Sequence, residues 1–166
     1  MKHPNGKGSN DRRKFPRVAV VSDIVEPIVL RYAQDKNSKS EFIPKHLQAQ
    51  PAVLMNLSAG GMQLITFLAP PHAKIFKMTL TIPGLDRVPV QGRVVRVSKK
   101  GETYVVGIEF TKIAMKYQKR ITQMAHDDVD CNTRLSLGLP EACVPDCSFH
   151  ALCTKPQKAP HWPRKG

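Results

Sequence analysis

Between Ala52 and Phe110 the sequence alternates apolar and polar residues in a series of short runs, and no helical period separates one run from the next. Strands joined without crossover helices pair antiparallel, which removes the α/β classes at the outset. Phe76, Met78, Leu80 and Ile82 alternate with Lys77, Thr79 and Thr81, the pattern of a half-buried strand. Tyr104, Val106, Ile108 and Phe110 alternate with Val105, Gly107 and Glu109, and a turn through Lys99, Lys100 and Gly101 makes this run the hairpin partner of Val88–Val97. Within Val88–Val97 the phase slips from Val88, Val90 and Val94 to Val95 and Val97, which predicts a bulge or sharp bend near Gly92. Ala52–Leu57 and Met62–Leu68 flank a Ser58-Ala59-Gly60-Gly61 turn, and Val18–Tyr32 reads as a long, bent first strand with Pro27 at a bulge or edge. The expected fold class is all-β, a small six-stranded antiparallel β-barrel.

The period changes at Lys112–His126, where Ile113, Tyr117, Ile121 and Met124 share one helical face, so a C-terminal amphipathic α-helix is expected to pack on the barrel. Beyond Asp127 the pattern dissolves into a largely irregular tail that carries all the cysteines and ends in a basic, Pro-rich stretch. The expected organisation is a flexible lead over 1–10, one barrel domain with its helix over 11–126, and a Cys/Pro-containing and basic tail over 127–166. Gln34–Gln50 is polar and without period, a loop of above-average length. No apolar run approaches the ~20 residues a membrane span needs, and Met1–Arg17 is polar and basic with no secretory core, so a cytoplasmic location is expected. The net charge of +13 calls for an anionic partner, whether nucleic acid, nucleotide or acidic surface. The positive charge flanks an acidic island at 127–153, where five carboxylates face a single arginine.

Two short motifs narrow the choice. In Arg12-Arg13-Lys14-Phe15-Pro16-Arg17, Pro16 disfavours helix at Phe15, so Arg13 and Arg17 sit on an extended or turning segment, at most about 13 Å apart at Cα. Their guanidinium forks match phosphate oxygens and the O6/N7 edge of guanine. A basic run of this kind, taken alone, also suits a solvated tail. In Asn56-Leu57-Ser58-Ala59-Gly60-Gly61, an amide and a hydroxyl alternate on one side of an extended chain, and Gly61 permits a tight turn or a close approach. By itself that string reads first as a tight turn between strands.

Together, R-x-x-x-R entering a first strand and [DN]-x-S-x-x-G between two later strands resemble the PilZ domain family of cyclic di-GMP receptors. Arg93–Val97 and Tyr104–Phe110 look like that family's paired late strands, and the resemblance covers residues 11–126. It implies a barrel that binds cyclic di-GMP beneath an N-terminal arginine loop. Arg13 and Arg17 would meet guanine edges and phosphates, Asn56 and Ser58 the other guanine, and Gly61 would leave room for it. Arg12 matches family members that take up a stacked pair of ligand molecules. The implied function is noncatalytic sensing, passed to an unknown effector. The long 34–50 loop and the tail beyond His126 depart from the family pattern.

The strongest rival is a nucleic-acid-binding β-barrel that uses the basic surface, with Phe15, Tyr104 and Trp162 as stacking groups, although aromatic residues are scarce at 6%. No P-loop, G-x-G-x-x-G, H-E-x-x-H or nucleophile–base pairing is present, so an enzyme is not expected. Cys143, Cys147, His150 and Cys153, with Cys131 upstream, hold enough soft ligands for one zinc ion. Their spacing lacks paired C-x-x-C knuckles, and ordinary thiols are the leading expectation.

Overall fold

The computed structural model describes residues 14–19, 28–31, 49–70 and 75–159. The expectations for the 1–10 lead, for Pro27, for most of the 34–50 loop and for Trp162 fall outside them. Alternation becomes architecture in an antiparallel sheet built from β1 (Arg17–Ala19), β2 (Ile28–Arg31), β3 (Ala49–Ser58), β4 (Gly61–Thr66), β5 (Phe76–Ile82), β6 (Leu85–Lys100) and β7 (Thr103–Ile113). The strand order is β1-β3-β4-β7-β6-β5, with β2 also on β3. β1 pairs with Asn56–Ser58 and β2 with Ala49–Ala52, so both lie on one edge of β3, at its opposite ends. From Ala19 to Ile28 the chain advances nine residues while β3 recedes four, from Asn56 to Ala52. The two ladders therefore do not share a register, and what reads as one bent strand is two. β2 also lies against β5, which brings the two edges of the sheet together and curls it around its contents.

Those contents are the alternate residues of the inner face. Leu54, Leu57, Leu64, Leu80, Val88 and Val106 are fully buried, and Ile121 and Met124 reach them from α1 (Met115–Ser136). Tyr117, Ile121, Met124, Ala125 and Asp128 recur at three- and four-residue intervals and form the stripe that α1 turns inward. The helix runs ten residues beyond His126, where the periodicity placed its end. It stops at Gly138, whose φ of +68° is a left-handed conformation, with Gly138 N–H bonded to the Leu135 carbonyl and Leu139 N–H to that of Arg134. This pair of bonds is a Schellman cap, and the Leu137-Gly138-Leu139-Pro140 string is its sequence signal.

Among the described residues of the tail, 139–159, the chain is irregular apart from a 3₁₀ turn at His150–Leu152, yet it is well packed. Phe149 and Leu152 enter the same core as the strands and α1. Asp127 accepts from the Ser148 backbone N–H, Arg120 donates to the Ser148 hydroxyl, and Lys155 pairs with the largely buried Asp128 at 2.6 Å. The tail is thus fastened along α1 by Arg120, Asp127 and Asp128 of that helix. Among the described residues, no helix is long and apolar enough to cross a membrane.

Candidate functional site

Antiparallel register places residues opposite one another on the same face of a sheet, and two such rows cross the outer face here. The first runs Arg17, Ser58, Gly61, Glu109, Arg93 through β1, β3, β4, β7 and β6. The second runs Ala19, Asn56, Gln63, Gly107, Arg96 through the same strands. Each row has a glycine near its middle, so the floor between them is bare. Above that floor lies an open cleft of about 470 Å³, lined by Lys14, Phe15 and Arg17 on one side and by Arg96 on the other.

A bulge decides which side chains reach the outer face. Leu54 pairs with Leu64 and Asn56 with Gln63, so the ladder skips Met55. Unbroken alternation would put Asn56 on the inner face with Leu54; the bulge turns Asn56 outward and leaves Leu57 inside. Asn56 Nδ2 donates to Gln63 Oε1 at 2.7 Å, which leaves Asn56 Oδ1 to accept and Gln63 Nε2 to donate into the cleft. The Ser58 hydroxyl, largely buried, donates to the Gly61 carbonyl at 3.1 Å and closes the β3–β4 turn. Gly61 is required by packing: a Cβ there would run into the Ile108 carbonyl of β7. Its bareness is demanded by the sheet and also leaves the floor of the cleft open.

Phe15 holds the N-terminal segment against this surface. Its ring lies over Gly60, where an added Cβ would come within 2.7 Å of the Phe15 Cδ2, and it packs on the edge of the core. The Gly60 carbonyl in turn accepts from Phe110 N–H at 2.9 Å, which ties the turn to β7. Electrostatically the cleft is cationic. Lys14, Arg17 and Arg96 line it, and its one carboxylate, Glu109, is held by Arg93 Nε at 2.6 Å.

Of the residues the motifs single out, Arg17, Asn56, Ser58 and Gly61 meet in this cleft, while Arg12 and Arg13 lie outside the described residues. Gln63, Gly107, Glu109 and Arg96 also line it and have no motif to mark them, because their membership depends on register. Cys143, Cys147, His150 and Cys153 are elsewhere, around a small cavity of about 40 Å³ that Cys131 of α1 also lines. All four cysteines are free. His150 Nε2 is hydrogen-bonded with the Ala159 carbonyl at 2.8 Å, and among the described residues no three His, Cys, Asp or Glu side chains are grouped as a metal ion requires. Burial pushes the Cys147 thiol pKa up, with the charges of Asp127 and the neighbouring Cys131 and Cys143 acting in the same direction.

Comparison with known proteins places these observations. A family model described as the PilZ domain matches residues 11–126. The chain matches no curated protein. Among solved structures it is similar to the Bacillus subtilis inhibitor of motility MotI/DgrA, with 16% identity, a TM-score of 0.45, and 79% of this chain covered against 54% of that one. It is also similar to the PilZ domain of YcgR from Escherichia coli, solved with c-di-GMP, with 14% identity, a TM-score of 0.47, and 78% and 99% of the two chains covered. The chain thus spans about half the length of the first of these.

Proposed function

The chain belongs to the PilZ domain family, and from that premise we propose that it is a noncatalytic receptor for cyclic di-GMP. The observation that carries the reading is the cleft itself. Arg17 on β1 and the Asn56/Ser58 ledge on β3, about forty residues apart in sequence, stand side by side along one bare floor. A ligand with two phosphates and two guanines needs charge-assisted forks together with a few neutral donors and acceptors, and this is the set the cleft offers. Arg17 and Arg13 take the phosphates and the O6/N7 edge of one guanine, while Asn56 and Ser58 take the other base. The arginine segment closes over the bound nucleotide, and the surface so formed is what an effector reads. Arg12, directly ahead of the pair, favours two stacked ligand molecules per site.

Calorimetric titration of the whole chain with cyclic di-GMP, against GTP and cyclic AMP as controls, tests this. Saturation at low stoichiometry with cyclic di-GMP alone is the expected result; absence of binding, or equal binding of all three, overturns it. Arg17→Ala is expected to weaken binding by about 2 kcal/mol or more, roughly thirtyfold, with the fold intact, because charge-assisted bonds at a desolvated ligand are costly to lose and Arg17 is exposed in the free protein.

A further inference from the structure

β6 carries its own bulge, and its position bears on which base the cleft accepts. Val94 pairs with Ile108, a buried residue of the inner face. Without interruption the ladder would continue to Arg96 opposite Val106, which is fully buried, and would point a guanidinium into the core. The ladder instead skips Val95 and pairs Arg96 with Gly107, which turns Arg96 onto the outer face at the end of the row that holds Asn56 and Gln63. Two bulges on two different strands therefore aim a polar group from either end of one row toward the same strip of backbone.

Two neighbouring features mark that strip as a place for a flat ring. Gly107, unlike Gly61, is not demanded by packing: a Cβ there would meet nothing nearer than Arg96 Cβ at 3.5 Å and Val95 Cγ2 at 3.6 Å, ordinary contacts. What its bareness preserves is open space above the row. The second feature is that the Arg96 guanidinium has no hydrogen bond or ion pair with any other described residue, whereas Arg93, at the end of the neighbouring row on the same strand, is occupied by Glu109. Three strand spacings, about 14 Å in a flat sheet, separate the Cα atoms of Asn56 and Arg96. That gap suits an amide at one end, a guanidinium at the other and a purine between them.

We infer that Arg96 is a specificity-determining residue of the cleft: its guanidinium fork takes the O6/N7 edge of the guanine that Asn56 and Gln63 meet from the other side. The chemistry selects guanine because that edge offers two acceptors side by side. Adenine presents N7 beside the N6 amino group, a donor that opposes the second N–H of the fork. The inference rests on the reading of the cleft as a cyclic di-GMP site and adds to it the group that distinguishes guanine from adenine.

The test compares cyclic di-GMP with cyclic di-AMP, titrated calorimetrically into the wild-type chain, Arg17→Ala, Arg96→Ala, Arg96→Lys and Gly107→Val, each first checked for an unchanged melting transition. Arg96→Ala is expected to lose tenfold or more in affinity for cyclic di-GMP and little for cyclic di-AMP, so that discrimination collapses. Arg96→Lys, which keeps the charge and loses the fork, is expected to recover only part of the affinity and none of the discrimination. Gly107→Val is expected to block both ligands by filling the floor. Equal losses for both ligands with full rescue by lysine would reduce Arg96 to a point charge and overturn the inference. So would binding by Arg96→Ala as tight and selective as wild type, while Arg17→Ala is impaired. Failure of the wild-type chain to bind cyclic di-GMP at all would overturn the underlying reading and this inference with it.

Discussion

Arg17 and Ser58 face each other across the β1–β3 ladder, and Gly61 stands next in the same row. Each of the three has a distinct physical duty, so substitutions should separate them. Gly61→Ala drives a methyl group into the Ile108 carbonyl, and neither backbone can yield without breaking the β4–β7 ladder. The expected loss is about 1–3 kcal/mol of stability, read by chemical denaturation in the absence of ligand. Asn56→Ala should leave stability nearly unchanged, since its partner Gln63 remains reachable by water, yet weaken nucleotide binding about tenfold by calorimetry. Arg17, Asn56 and Ser58 were legible in the sequence because a motif is a property of neighbours in the chain. Gln63, Gly107 and Arg96 were not. They join the site through strand register, which depends on a bulge at Met55 that no local pattern marks and on one at Val95 that the valine phase slip signals without showing which side chain it turns outward.

At the level of elements, the phase slip in Val88–Val97 was visible as a string of valines, and the ladder is indeed irregular at Gln91/Gly92. The same string also reflects the second irregularity: past the bulged Val95, Val97 returns to the inner side opposite Val106, although Val95 and Val97 are both about half exposed, at 57% and 47%. The end of α1 was missed for a different reason. Apolar spacing weakens after Met124 while the helix continues on Asp127 and Asp128, whose partners lie in the tail. That arrangement predicts the behaviour of Lys155→Met: loss of the pair with Asp128 should loosen the tail by about 1–2 kcal/mol, discounted for partial exposure, and speed proteolysis between 139 and 159. pH should act on the same contact. Burial pulls the Lys155 pKa down, but the hydrogen bond and charge of Asp128 outweigh it and hold the value above the ordinary 10.5. A group that binds its proton more tightly in the folded state stabilises fully below its unfolded pKa and stops doing so as pH rises through the folded one. The raised Cys147 thiol acts in the same direction from an ordinary value of 9.0. Tail attachment should therefore weaken on the alkaline side, first above about 9 and then beyond 10.5, as followed by proteolysis across a pH series.

For the molecule as a whole, the family match ends at residue 126, yet the core does not. Phe149 and Leu152 belong to the same cluster as Leu80 and Met124, and a Cβ on Gly84, in the β5–β6 turn, would touch Ala151. Truncation after His126 would uncover Ile121 and Met124 and remove ten residues of helix, so the shortened chain is expected to melt well below the full one in calorimetry. With the tail fixed to α1, and α1 lying beside β1 and β3, the shortest ladder among the described strands is the one that carries Arg17. There β1 is held to β3 over three residues only, and the first of them is Arg17. The guanidinium proposed above to take a phosphate is carried by the same residue that begins the ladder. Occupancy of the cleft should therefore register in the backbone as slowed hydrogen–deuterium exchange of the amides from Arg17 to Ala19, turning the concentration of a small molecule into the lifetime of a few main-chain bonds.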